Sequence, residues 1–149
     1  MRELLPAHYS PKASFFHYLH MAQGNFREYL RGDTVWRKKY FYILRPILAM
    51  RWIERGLGPV PIEFDRLVER SVDDPAIRRE IAELLRAKRA GDELDFGPKS
   101  AALSSFAETE IARLERLEEE RLDPAPSDEQ VDALFRETLR EIWGPTLPA

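Results

Sequence analysis

The chain has 149 residues, no cysteine and a formal net charge of −3; the length fits a single domain, and the missing thiols exclude disulfides, thiolate zinc centres and cysteine nucleophiles. No run approaches the roughly 18 apolar residues of a bilayer-crossing helix, and the leading MRELLPAHYSPK lacks a long apolar core, so the expectation is a cytoplasmic chain with no membrane partner. Charge is uneven: residues 1–60 carry ten Lys/Arg and four Asp/Glu, residues 61–149 thirteen and twenty-two, and twelve of the sixteen aromatics precede residue 65. Basic and aromatic side chains, the pair that nucleotide and RNA surfaces use, therefore share one half of the chain. Burial of the rings and pairing between the oppositely charged halves explain the same bias without a ligand.

Residues 1–10 read as a flexible lead-in. Ser10 is placed as an N-cap with Pro11 at the first helical position, and Phe15, Phe16, Leu19, Ala22, Phe26, Tyr29 and Leu30 keep a helical apolar face up to Gly32. Asp33 or Thr34 is the expected cap of a second helix running to Arg55, ended by Gly56 and LGPVP. PIEFDRLVER over 61–70 suits a short third helix. A fourth is expected from Asp74, with Pro75 at N1 and Ile77, Ile81, Leu84 and Leu85 inward, to Gly91; GDELDFGPKS then reads as an irregular loop. Ser100 opens a long fifth through Leu103, Phe106, Ile111, Leu114 and Leu117 to near Arg121, and after DPAPSD residues 128–143 give a sixth. No segment alternates as a strand does. The expected fold class is all-α, a bundle of about five to six helices with no sheet. It forms one domain over 1–149, with the main bundle in 11–122 and a C-terminal helix and tail in 123–149.

The second helix is apolar on every side, which places it at the centre of the bundle. Arg45 nevertheless falls beside Phe41, Leu48, Ala49 and Trp52 with no carboxylate at i±3 or i±4, and Arg51 lies one and a half turns on. A buried unpaired guanidinium would cost several kcal/mol, so a carboxylate from another helix, carbonyl oxygens or an anionic ligand must meet it. Glu63, Asp65 and Glu28 are candidate structural partners; a phosphate is the alternative. Pro46 cannot donate to the Tyr42 carbonyl, which frees an acceptor in the same region.

Other constellations are thinner. Asp92, Glu93 and Asp95 sit together in a Gly-bounded segment, where loop solvation or helix capping explains them better than a metal does. His17 and His20 share a helical face, but no third ligand is proposed by the nearby sequence. The spacing from Arg2 to His8 is a poor match to the Arg-x(4–6)-His motif of helical ribonucleases, because Pro6 interrupts it.

Four blocks carry a resemblance: HYLHMAQGNFREYL at 17–30, KKYFYILRPILAMRWIE at 38–54, PIEFDRL at 61–67 and LLRAKRAGDELDFGP at 84–98. In order and spacing they resemble the C-terminal helical part of predicted nucleotidyltransferases of the DNA polymerase beta superfamily, some associated with RNA repair, over residues 9 to about 115. The resemblance implies transfer of a nucleoside monophosphate from an NTP to an acceptor, with magnesium held by carboxylates on a small mixed sheet. Those enzymes carry a Gly-Ser turn and an Asp-x-Asp type pair in an N-terminal α/β domain, and neither pattern occurs in this chain. No catalytic residue is therefore assigned, and magnesium and NTP are expected only together with a catalytic domain.

The expectation that follows is a truncated or split product, inactive alone: the helical part that positions substrate or nucleotide. Its partners would be an N-terminal nucleotidyltransferase domain in cis or trans, NTP or RNA, and in one version a second copy of itself. Lys39, Arg45 and Arg51 are the expected phosphate-facing or interface cations, with His17 and Tyr18 as secondary contacts to base or ribose. The alternative from a different class is a stand-alone helical interaction or dimerisation module, using apolar surface left on the first two helices. Direct RNA binding by the basic N-terminal half, with a steep salt dependence, is a third possibility.

Overall fold

In a computed structural model of the protein, residues 10–91 and 95–121 are described. Five helices carry the fold: α1 (Pro11–Tyr29), α2 (Tyr40–Glu54), α3 (Phe64–Ser71), α4 (Pro75–Arg89) and α5 (Ala101–Arg121). Residues 10–116 belong to one compact unit, and residues 117–121, the end of α5, belong to a second. The all-α bundle is borne out, and three helix starts follow the capping chemistry written in the sequence. Ser10 Oγ accepts from the Ala13 amide at 3.2 Å, Asp74 Oδ1 from Ala76 at 2.8 Å and Ser100 Oγ from Leu103 at 3.1 Å. Each satisfies an amide that the first turn leaves without a helical partner. The expected sixth helix, the lead-in over 1–9, the Arg2–His8 pair and Asp92 and Glu93 lie outside the described residues.

Three expectations need correction. The second helix does not start at Asp33 or Thr34. Thr34–Trp36 forms a short strand, β1, followed by a 3₁₀ turn over Arg37–Lys39, and the helix begins at Tyr40. The segment read as an irregular loop supplies the partner strand β2 (Phe96–Pro98), antiparallel, with Thr34 opposite Pro98, Val35 opposite Gly97 and Trp36 opposite Phe96. Two three-residue strands are too short to show alternation, and their pairing depends on contacts about 60 residues apart, which periodicity cannot report. Backbone bonds extend the ladder at both ends, from Arg37 N–H to Asp95 O (3.2 Å) and from Lys99 N–H to Asp33 O (2.8 Å). Gly97 lies close to the Arg37 side chain: a Cβ there would come 2.9 Å from Arg37 Cδ, so a larger residue would need that side chain to shift. The third helix begins at Phe64, three residues later than expected.

The placement of α2 follows from its sequence. Ile43, Leu44, Ile47, Leu48, Ala49 and Met50 are fully buried, packed chiefly against α1 and α3. Full burial of one such aliphatic side chain contributes roughly 1.5–3 kcal/mol, so this helix dominates the hydrophobic stabilisation. Gly56, at φ +64°, turns the chain out of it; its amide reaches back to Ile53 O at 3.0 Å. The carbonyl of Tyr42, denied its helical donor by Pro46, accepts instead from Asn25 Nδ2 on α1 at 2.9 Å. The freed acceptor is thus used to tie α1 to α2 and is not taken by Arg45.

Tyr40 locks the start of α2 to the start of α5. Its buried hydroxyl accepts from the Ser100 amide at 2.9 Å and shares a 2.9 Å hydrogen bond with Ser104 Oγ. Removing the hydroxyl leaves those groups without a partner in a mostly dry site. Tyr40→Phe is therefore expected to lower stability by about 1–2 kcal/mol, read by denaturant titration.

Candidate functional site

A groove of about 420 Å³ opens along one side of α2, lined by Met21, Lys38, Phe41, Tyr42, Arg45, Pro46 and Lys88. It gathers side chains from α1, from the 3₁₀ turn, from α2 and from the last turn of α4. Among the described lining residues three are cations and none is acidic. Among the described residues no carboxylate lies within ion-pair distance of Lys38, Arg45 or Lys88. Aromatic faces hold these cations instead. The Lys88 ammonium stands 5.0 Å from the Phe41 ring and the Arg45 guanidinium 5.6 Å from Phe64, itself edge-on to Phe41. Arg45 also donates to the Ile62 carbonyl at 2.8 Å. That single neutral acceptor fixes the fork and leaves its net charge uncompensated.

Next to the groove, Lys39 is half-buried among three rings. Its ammonium is 4.1 Å from Tyr29, 4.7 Å from Tyr42 and 5.3 Å from Trp36. Lys38 lies over the other reachable part of this cluster, 3.7 Å from the Trp36 ring. Cation–π contacts orient ammonium groups without neutralising them, so the field at this surface stays positive.

Arg51 has different company. It pairs with Asp73, from the segment joining α3 to α4, at 2.8 Å and with Glu110 on α5 at 3.2 Å. The network continues in alternating sign: Arg55 also grips Asp73, while Arg113 holds Glu110 at 3.0 Å and Glu54 at 2.7 Å. Both guanidiniums singled out in the sequence are thus met from beyond their own helix, Arg51 by carboxylates and Arg45 by a carbonyl. Neither takes Glu63, Asp65 or Glu28 as its ion-pair partner; Asp65 pairs with Arg89. The Glu54 and Glu110 carboxylates keep the Arg113 guanidinium protonated well above the ordinary arginine range.

The Arg55 hydrogen bond, reinforced by the charges of Arg55 and Arg51, holds the Asp73 carboxyl below its ordinary value of 3.8. A depressed folded pKa means a contribution present above the unfolded value and lost as pH falls through the folded one. Stability of the wild type is therefore expected to fall in the acid range below about pH 4, and Asp73→Asn to flatten that part of the profile. Unfolding monitored by circular dichroism across that range reads it; the Asp73 side chain is 67% exposed, so the difference is small.

Of the sequence-derived site residues, Arg45 lines the groove and Lys39 borders it through Tyr42, whereas Arg51 is engaged in the ion-pair network. His17 is exposed and Tyr18 half-buried on α1, their rings 5.7 Å apart, and neither lines the groove. Among the described residues no three His, Cys, Asp or Glu side chains cluster as metal ligands, and no helix is long and apolar enough to cross a membrane. Sequence reasoning missed Lys38, Phe41, Tyr42 and Lys88. Lys38, Phe41 and Tyr42 were visible in the KKYFY run; Lys88 stood 43 positions from Arg45 with nothing local to connect them.

Comparison with known proteins gives one family and one curated relative. Residues 1–137 match the model of RlaP, the RNA repair pathway DNA polymerase beta family. An "Uncharacterized protein YcgL" of Bacillus subtilis (strain 168) is 38% identical over 144 residues, 96% of this chain. The chain spans 55% of that relative's length. No solved structure matches.

Proposed function

The chain belongs to RlaP, the RNA repair pathway DNA polymerase beta family, and from that membership we propose that it is the helical, nucleotide-positioning part of a nucleotidyltransferase. The reaction is transfer of a nucleoside monophosphate from an NTP to an acceptor. The observation that carries the reading is the groove on α2, where Lys38, Arg45 and Lys88 converge beside Phe41 and Tyr42 with no carboxylate among the described lining residues. Exposed or half-buried cations with donors to spare suit the phosphates of a nucleotide, and ring faces suit its base. Arg45 and Lys88 contact phosphate; Lys39 adds positive field from its aromatic box. Arg51 holds α2 against α5 and so positions Arg45, six residues earlier on the same helix. His17 and Tyr18 lie on α1 as secondary contacts to base or ribose.

The carboxylates that bind magnesium and the Gly-Ser turn come from an N-terminal nucleotidyltransferase domain, in cis or in trans, since this sequence holds neither. On that reading the described chain is inactive alone. Mixing it with the part of the Bacillus subtilis relative that this chain does not span, magnesium and labelled NTP tests the proposal. Complex formation and restored transfer support it; failure to bind the domain together with failure to bind NTP refutes it.

A second reading, a self-associating interaction module, draws on the exposed Phe16 and Met21 of α1 and Tyr42 of α2. A tight dimer in light scattering, with no affinity for nucleotide, would favour it.

A further inference from the structure

The two-stranded ladder presents an aromatic surface that the groove does not account for. Phe96 is 70% exposed yet held in place. Its ring stacks on Trp36 with centroids 5.6 Å apart and planes 14° from parallel, and its backbone is pinned opposite Trp36 in the ladder. One ring face is thus covered by Trp36 and the exposure leaves the other open. Lys38 stands 3.7 Å from the Trp36 ring and also lines the groove, so a cation links the stacked pair to the phosphate site. An open aromatic face held by the ladder, beside cations that make no ion pair among the described residues, is the arrangement on which an unpaired base stacks while its phosphates follow the charges.

We infer that Phe96, backed by Trp36 and flanked by Lys38, is a stacking platform for one base of a single-stranded polynucleotide whose backbone continues into the groove. The inference rests on the groove reading for the phosphate path and adds a polymeric ligand to it. The Phe96 ring itself offers no hydrogen bond to a base edge, so stacking on it carries no base identity. The chemistry is shared by RNA and DNA single strands, and the two are separated by experiment.

The test uses the full chain and three probes: labelled oligouridylate RNA, the oligothymidylate DNA of equal length, and ATP, each followed by fluorescence anisotropy or calorimetry at low salt. Phe96→Ala is expected to weaken the oligonucleotide about tenfold, within the range of base–aromatic stacking, with ATP affinity unchanged. Phe96→Trp restores it, which a merely structural role for the ladder would not do. Arg45→Ala is expected to weaken both ligands and to reduce the salt dependence of oligonucleotide binding by about 0.7 in log–log slope. Equal binding of the two strands supports a generic platform, and preference for oligouridylate supports RNA as the source. Wild-type oligonucleotide affinity in Phe96→Ala, or no oligonucleotide binding at all, overturns the platform. Unchanged ATP affinity in Arg45→Ala, with Phe96→Ala still impaired for the strand, overturns the groove reading and leaves the platform standing.

Discussion

Glu110→Ala is expected to destabilise the protein by about 3 kcal/mol, a fall of roughly 6–12 °C in the thermal midpoint. The Glu110 side chain is 11% exposed and Arg51 14% exposed, and Glu110 stands between Arg51 and Arg113. Removing it takes from Arg51 and Arg113 the carboxylate they share in the least exposed part of the network, leaving Arg51 with Asp73 and Arg113 with Glu54, so two guanidiniums come to face each other with one carboxylate fewer between them. Desolvation has already been met by the pair together, which is why deleting one partner is worse than deleting both. The double change Arg51→Met with Glu110→Leu, of similar volume, is accordingly expected to lose less than Glu110→Ala alone. Differential scanning calorimetry on the three chains decides it. A loss below about 1 kcal/mol in Glu110→Ala would mean that the network behaves as a surface ion pair.

Arg45→Ala combined with Lys88→Ala should lower affinity for an NTP by about a hundredfold, since each removes a charge-assisted contact worth on the order of 1.5 kcal/mol or more. The fold should survive. Among the described residues neither cation is in an ion pair, and α2 is anchored by apolar burial on its other faces. Isothermal titration with ATP in magnesium-free buffer reads the groove without any catalytic domain. Retention of wild-type affinity in the double variant would place the nucleotide elsewhere and remove the observation on which the positioning role stands.

The same two arginines show how far the sequence could be read. That Arg45 needs a partner from outside its helix followed from spacing alone, because no acidic residue occurs one turn away from it and because buried charge is costly; Arg51 has Glu54 at i+3, so spacing left its partner open. Which partner each found did not follow. Asp73 and Glu110 lie 22 and 59 positions from Arg51, and only the packing of α3, α4 and α5 around α2 brings them together. The Tyr42 carbonyl is similar: Pro46 announced a free acceptor, while the claim of Asn25 on it depended on how α1 lies across α2.

The ladder is the larger omission. Thr34–Trp36 followed a glycine and an aspartate and looked like a helix start; it became a strand because Phe96–Pro98 arrived beside it. Strands of three residues have no periodic signal, and their ladder hydrogen bonds exist only when a second segment supplies the other half.

What the sequence by itself determined is local chemistry: the caps at Ser10, Asp74 and Ser100, the glycine exit at Gly56, the all-round apolar α2, and the presence of cations that must be answered. The tertiary structure alone decided which cations are answered by carboxylates and which are left facing a groove. That division is set by distances between residues far apart in the chain, and a Coulomb interaction depends on separation in space, which neighbouring residues cannot encode.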